Sequence, residues 1–109
     1  MAETRRVLGQ VDPAAATLTV AYTVPLGGSA VLSGVHVANR AGAPTTFRVN
    51  IAEAGAAAAT KQYVAYDLAI GANAVVIVGR GITLGSGDVV RVYATLATLS
   101  FNIFGAETT

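Results

Sequence analysis

Apolar residues recur at every second position through much of this chain, and glycine, proline or asparagine breaks each run before it reaches helix length. Alternation with period two marks a strand with one buried face, because successive Cβ atoms of an extended backbone point to opposite sides. In residues 17–24, Leu18, Val20, Tyr22 and Val24 share one side and Thr17, Thr19, Ala21 and Thr23 the other, until Pro25, Gly27 and Gly28 end the run. Residues 30–39 group Val31, Val35 and Val37, with Gly34 marking a bulge or a close approach in mid-strand. Residues 45–53 alternate most cleanly, with Phe47, Val49 and Ile51 set against Thr46, Arg48 and Asn50.

Further strands are predicted over 8–11, 62–68, 73–79, 89–95 and 99–104, the last ended by Gly105, with a short apolar run at 82–84 between two glycine turns. The alanine-rich stretch 54–60 includes Gly55 and is too short to hold a helix unaided, so it reads as a loop with at most one helical turn. About eight strands at spacings of roughly 8 to 14 residues, with no helix, predict an all-β chain. The expected fold is a single-domain antiparallel β-sandwich or jelly roll over residues 1–109, with no repeat and no linker. Its expected core comprises Leu18, Val20, Val35, Val37, Phe47, Val49, Ile51, Val90, Val92, Phe101 and Ile103. Residues 1–7, polar and doubly basic, are expected to form an N-terminal arm ordered by a partner.

Composition narrows the function classes. Only 12% of the residues are charged and 53% are hydrophobic, whereas soluble domains carry roughly 25% charge. That balance excludes an intrinsically disordered chain. The net charge of +1 gives no long-range field toward nucleic acid or acidic lipid. With no cysteine there is no disulfide, no thiol nucleophile and no thiolate zinc site. The uncharged stretch 13–35 is long enough to cross a bilayer, but Pro25, Gly27, Gly28, Gly34 and its Ser and Thr residues give it strand character. Arg5 and Arg6 are followed by no apolar signal core, so the mature chain is expected to begin near Met1. Thirteen charges (7 Lys+Arg and 6 Asp+Glu) are too few to cover a monomer's surface, which points to an oligomer or assembly component.

No residue pattern carries catalysis. The single histidine, His36, lies in an apolar strand, and no GxSxG elbow is present. Glu3, Asp12, Glu53, Asp67, Asp88 and Glu107 show no spacing that would single out a glycosidase pair. Asp12 before Pro13 and Asp88 after Gly87 are placed to bond backbone N–H groups in turns. The loop Gly85-Ser86-Gly87-Asp88 offers one carboxylate, too few for a calcium loop, and Gly79-Arg80-Gly81 reads as a tight turn, not a phosphate loop. Tyr63 and Tyr66 fall on opposite faces of a regular strand; the exposed one could stack on a sugar, but without tryptophan core packing with a solvated hydroxyl is the stronger reading of these rings. The sequence therefore indicates no catalytic residue, no cofactor and no metal.

A family resemblance runs over nearly the whole chain. Its motifs are Leu8-Gly9-Gln10, Tyr22-Thr23-Val24-Pro25 followed by Gly27, Asn39-Arg40, Tyr66-Asp67-Leu68, the segment Ile82-Thr83-Leu84-Gly85-Ser86-Gly87-Asp88, Val92-Tyr93-Ala94, and Ser100-Phe101-Asn102-Ile103-Phe104-Gly105. In these the chain resembles the small β-sandwich virion structural proteins of tailed bacteriophages. The resemblance implies a non-enzymatic part of the phage particle surface, made in the host bacterial cytoplasm and acting as a capsid decoration or cement protein. It also implies partners: further copies of the chain, with a trimer expected, and a major capsid or other virion protein, with neither nucleic acid nor membrane. Arg5, Arg6 and Val7 of the arm, with Arg80 in its glycine turn, are the expected partner contacts. Collar, tail or baseplate accessory proteins and a carbohydrate-binding receptor adhesin remain alternatives, the last being the one that takes a glycan.

Overall fold

The alternation resolves into nine strands: β1 (Glu3–Val11), β2 (Thr19–Thr23), β3 (Ser29–Asn39), β4 (Thr45–Ala52), β5 (Tyr63–Ile70), β6 (Val75–Val78), β7 (Thr83–Leu84), β8 (Val89–Ala94) and β9 (Leu99–Thr108). The computed structural model describes residues 3–109. One sheet has the order β1-β9-β3-β6, with β7 also paired to β3, and the other has the order β2-β8-β4-β5. All these pairings are antiparallel, and the chain is a β-sandwich. The core lies between the sheets. Phe101 and Ile103 of β9 and Val35 and Val37 of β3 face Phe47 and Val49 of β4 and Val90 and Val92 of β8, and all eight are buried. Phe47 meets Phe101 edge-on across the sandwich, with ring centroids 6.0 Å apart.

Bulges explain where the expected core fails. In β2 the pairing skips from Val20↔Arg91 to Tyr22↔Val90, so Ala21 is an extra residue and the strand changes parity there. Tyr22 turns inward, while Val20, expected in the core, is 56% exposed. Leu18, outside the strand, and Ile51 are only partly buried. In β3 the skip from Leu32↔Gly105 to Gly34↔Phe104 makes Ser33 the extra residue, at the place Gly34 signalled. Leu32 is therefore buried and Val31 exposed, although Val31 was grouped with Val35 and Val37.

Two boundaries also differ. β9 runs through Gly105 to Thr108, so Leu99, Phe101, Ile103, Gly105 and Glu107 all face inward. That length provides an edge for the N-terminal segment: residues 3–7, expected as an arm, are the first half of β1 and pair with residues 104–108. The sequence hid this because an edge strand of polar residues carries no alternation. Met1 and Ala2 lie outside the described residues. Residues 53–62 form a loop with two single 3-10 turns, Glu53–Gly55 and Thr60–Gln62. This loop covers part of the outer face of β4, where Asn50 is buried and its amide donates to Gln62 Oε1 at 3.1 Å.

Candidate functional site

Three features stand out from the packed scaffold: an internal polar cluster and the outer faces of the two sheets. The cluster is Glu107, in phase with the apolar residues of β9. Its side chain is 10% exposed, pairs with Arg6 of β1 at 3.0 Å and accepts a 2.5 Å hydrogen bond from the Tyr22 hydroxyl of β2. Three strands are tied together through one carboxylate. The Tyr22 hydrogen bond, followed by Arg6, holds Glu107 below the ordinary glutamate range, while burial, followed by Glu107, pushes the Tyr22 phenol up. A depressed carboxyl stabilises the fold above its unfolded value of about 4.3, and this contribution is lost as pH falls through the lower folded value. The raised phenol contributes below its unfolded value of about 10 and loses that contribution as pH rises beyond it. Melting temperature should therefore drop in acid below about pH 4.3, and Glu107→Gln should flatten part of that drop in circular-dichroism melts. An acid limb unchanged by Glu107→Gln would show that other carboxylates account for it.

The outer face of the five-stranded sheet carries an apolar patch, bordered by polar residues that include Arg5 and the hydrogen-bonded pair Gln10 and Asn102. Val7 of β1 lies opposite Phe104 of β9, which lies opposite Gly34 of β3. At Gly34 the missing side chain leaves space against which Ile77 and the stem of Arg80 pack; a Cβ there would meet Ile77 Cγ2 at 2.9 Å and Arg80 Cγ at 3.8 Å. His36 packs edge-on to Phe104 at 4.8 Å. Val75 and Ile77 on edge strand β6 and Val31 on β3 extend the apolar surface, Val75 being 61% exposed.

On the outer face of the four-stranded sheet, Arg48 of β4 projects between Tyr66 of β5 and Tyr93 of β8, its guanidinium carbon 4.2 and 4.3 Å from the two ring centroids. Arg48 Nε donates to Asp67 Oδ1 at 2.7 Å. Tyr63 meets Tyr66 edge-on at 5.0 Å, and a shallow depression of about 320 Å³ is lined by Thr60, Tyr63 and Tyr66. The expectation that Tyr63 and Tyr66 diverge fails because β5 is irregular. Its register against β4 shifts twice, between Phe47 and Val49 and between Val49 and Asn50, and Asp67 adopts φ +51°.

The expected contact residues do not form one patch. Arg5, 85% exposed and 3.5 Å from Glu3, shares the outer face of β1 with Val7. Arg6 points the other way, into the Glu107 cluster. Arg80 sits in the turn between β6 and β7, where Gly79 and Gly81 have φ of +71° and +76°. Asp88 performs the turn role read from the sequence, accepting from the backbone N–H groups of Gly85 and Ala54 at 2.8 Å each. Among the described residues, no group of three His, Cys, Asp or Glu side chains is placed to hold a metal ion. Sequence reasoning missed Glu107 and the Arg48 stack. The first was legible in principle, since Glu107 keeps phase with Phe101 and Ile103; the second depends on bulges that leave no mark in the sequence. No protein-family model, curated protein or solved structure matches the chain.

Proposed function

We propose that this chain is a non-enzymatic structural protein of a tailed-phage particle, a capsid decoration protein that reinforces the shell. The observation that carries the reading is the apolar patch on the outer face of the five-stranded sheet, built from Val7, Phe104, Ile77, Val75 and Val31 in a chain with few charges. Such a face lies against a neighbouring protein with little desolvation cost. A slab of 44 × 27 × 19 Å, stiffened by two hydrogen-bonded sheets, suits a role as a plate laid on a shell. The resemblance of its sequence motifs to those of small phage β-sandwich proteins supports the same reading. The partners are a major capsid protein and further copies of the chain, with a trimer as the assembled form on the particle.

Binding that favours the assembled shell over its separated subunits raises shell stability by mass action. Particles stripped of the protein should release DNA at lower temperature than complete ones, and adding the purified protein back should restore the difference. Because Val75 is exposed, Val75→Lys should leave the protein's own stability within about 0.5 kcal/mol while lowering its occupancy on particles. Equal robustness of stripped and complete particles would overturn the cement role. Collar, tail or baseplate placement would be read from the position of the density in a map of the intact particle.

A further inference from the structure

We propose that the outer face of the four-stranded sheet carries a second site, for a neutral saccharide, with Tyr63 and Tyr66 as its stacking platform. A sugar ring has a C–H face that packs on an aromatic ring and a rim of hydroxyls that needs fixed donors and acceptors. Both elements occur here. Tyr66 is 58% exposed on edge strand β5, a large aromatic surface with no core role, and it is held in place on two sides, by the Tyr63 ring at 5.0 Å and by the Arg48 guanidinium at 4.2 Å. Exposed yet immobilised aromatic rings lose little conformational freedom when a ligand stacks on them.

The polar part is equally fixed. Asp67 is bonded through both oxygens to Arg48, at 2.7 and 3.5 Å, which leaves carboxylate lone pairs available beside the rings, and Thr60 borders the depression. The depression of about 320 Å³ is at the small end of the range of roughly 300–1,000 Å³ typical of ligand sites, a size for one or two sugar units. The skip from Asn50↔Tyr63 to Val49↔Ala65 makes Val64 an extra residue and so keeps Tyr66 on the same side as Tyr63, while Asp67, beyond Tyr66 at the second shift, occupies the left-handed region at φ +51°, an uncommon conformation for a residue with a side chain.

The charge balance selects the ligand class. Arg48 is paired with Asp67, so the site presents no unpaired guanidinium for bidentate capture of an acidic sugar, and the exposed Lys61 next to Thr60 adds only a single charge beside it. Single-stranded nucleic acid also stacks on tyrosines, but it needs a positive groove along its backbone. Arg91, the other arginine on this face, is directed to Asn50 and to the Ala56 carbonyl.

The test uses the full chain on a microarray of neutral oligosaccharides from bacterial and plant surfaces, followed by amide NMR titration with the best-retained oligosaccharide. Shifts should concentrate at Thr60, Tyr63, Tyr66 and Asp67. Tyr66→Ala should weaken binding roughly tenfold or more with an unchanged melting curve, and Tyr66→Phe, which keeps the ring, should retain most of it. No retention of any oligosaccharide, retention undiminished by Tyr66→Ala, or binding of oligothymidine in its place would each overturn the proposal. None of these outcomes bears on shell reinforcement, which is assigned to the opposite sheet and is read on particles.

Discussion

Phe47→Ala should lower the unfolding free energy by about 3–5 kcal/mol, measured as a shift in urea midpoint at unchanged slope. The ring is fully buried on β4 and touches Phe101 of the opposite sheet, so truncation removes contacts from both layers at once. The cavity cannot close easily, because its walls are strands held in two hydrogen-bonded sheets. Domains of this size have about 5–15 kcal/mol in total, so a large share of the stability would go with one side chain. A double-mutant cycle with Phe101→Ala should reveal coupling between the two rings, since residues in direct contact are not additive. A loss under about 1 kcal/mol would mean that the sheets repack around the gap.

Gly105→Ala should also be strongly destabilising, by about 1–3 kcal/mol or more, although alanine is ordinarily better tolerated than glycine inside a strand. A Cβ at position 105 would overlap the carbonyl oxygen of Val31 and sit 3.1 Å from the Leu32 Cα. Both obstacles are backbone of the neighbouring β3, and moving them breaks the ladder that joins β3 to β9. Rotamer changes cannot relieve such a clash. Gly42→Ala is the matched control, because a Cβ there meets nothing within 4 Å. Equal thermal stability of the two variants would refute the close approach of β3 and β9.

The same glycine shows what the sequence could and could not convey. Read locally, Gly105 stops a strand after Phe104; in the structure it is the smallest member of an inward-facing row that continues to Glu107. Period two placed Phe47, Val49, Val90, Val92, Phe101 and Ile103 in the core correctly, since those stretches are regular between their turns. It misplaced Val20 and Val31 because one inserted residue reverses every side chain on one side of it, and Ala21 and Ser33 look like any other strand residues. Gly34 did betray its bulge. The tyrosine cluster was illegible for the same reason: Tyr63 and Tyr66 have opposite parity in the sequence and meet only because β5 is irregular.

The pairing of β1 with β9 has a topological consequence. Glu3 lies directly across from Thr108, so the path from β1 to β9 returns to its starting corner and these two positions nearly close a ring. Residues paired across an antiparallel ladder have Cα atoms only about 4.5–5.5 Å apart. A peptide bridge of a few residues could join these positions, and the exposed stretch between Gly55 and Thr60, which lies outside both sheets, is a natural place to reopen the ring. Labels attached at Glu3 and at Thr108 would leave from the same corner of the slab and report on one point of its surface instead of two.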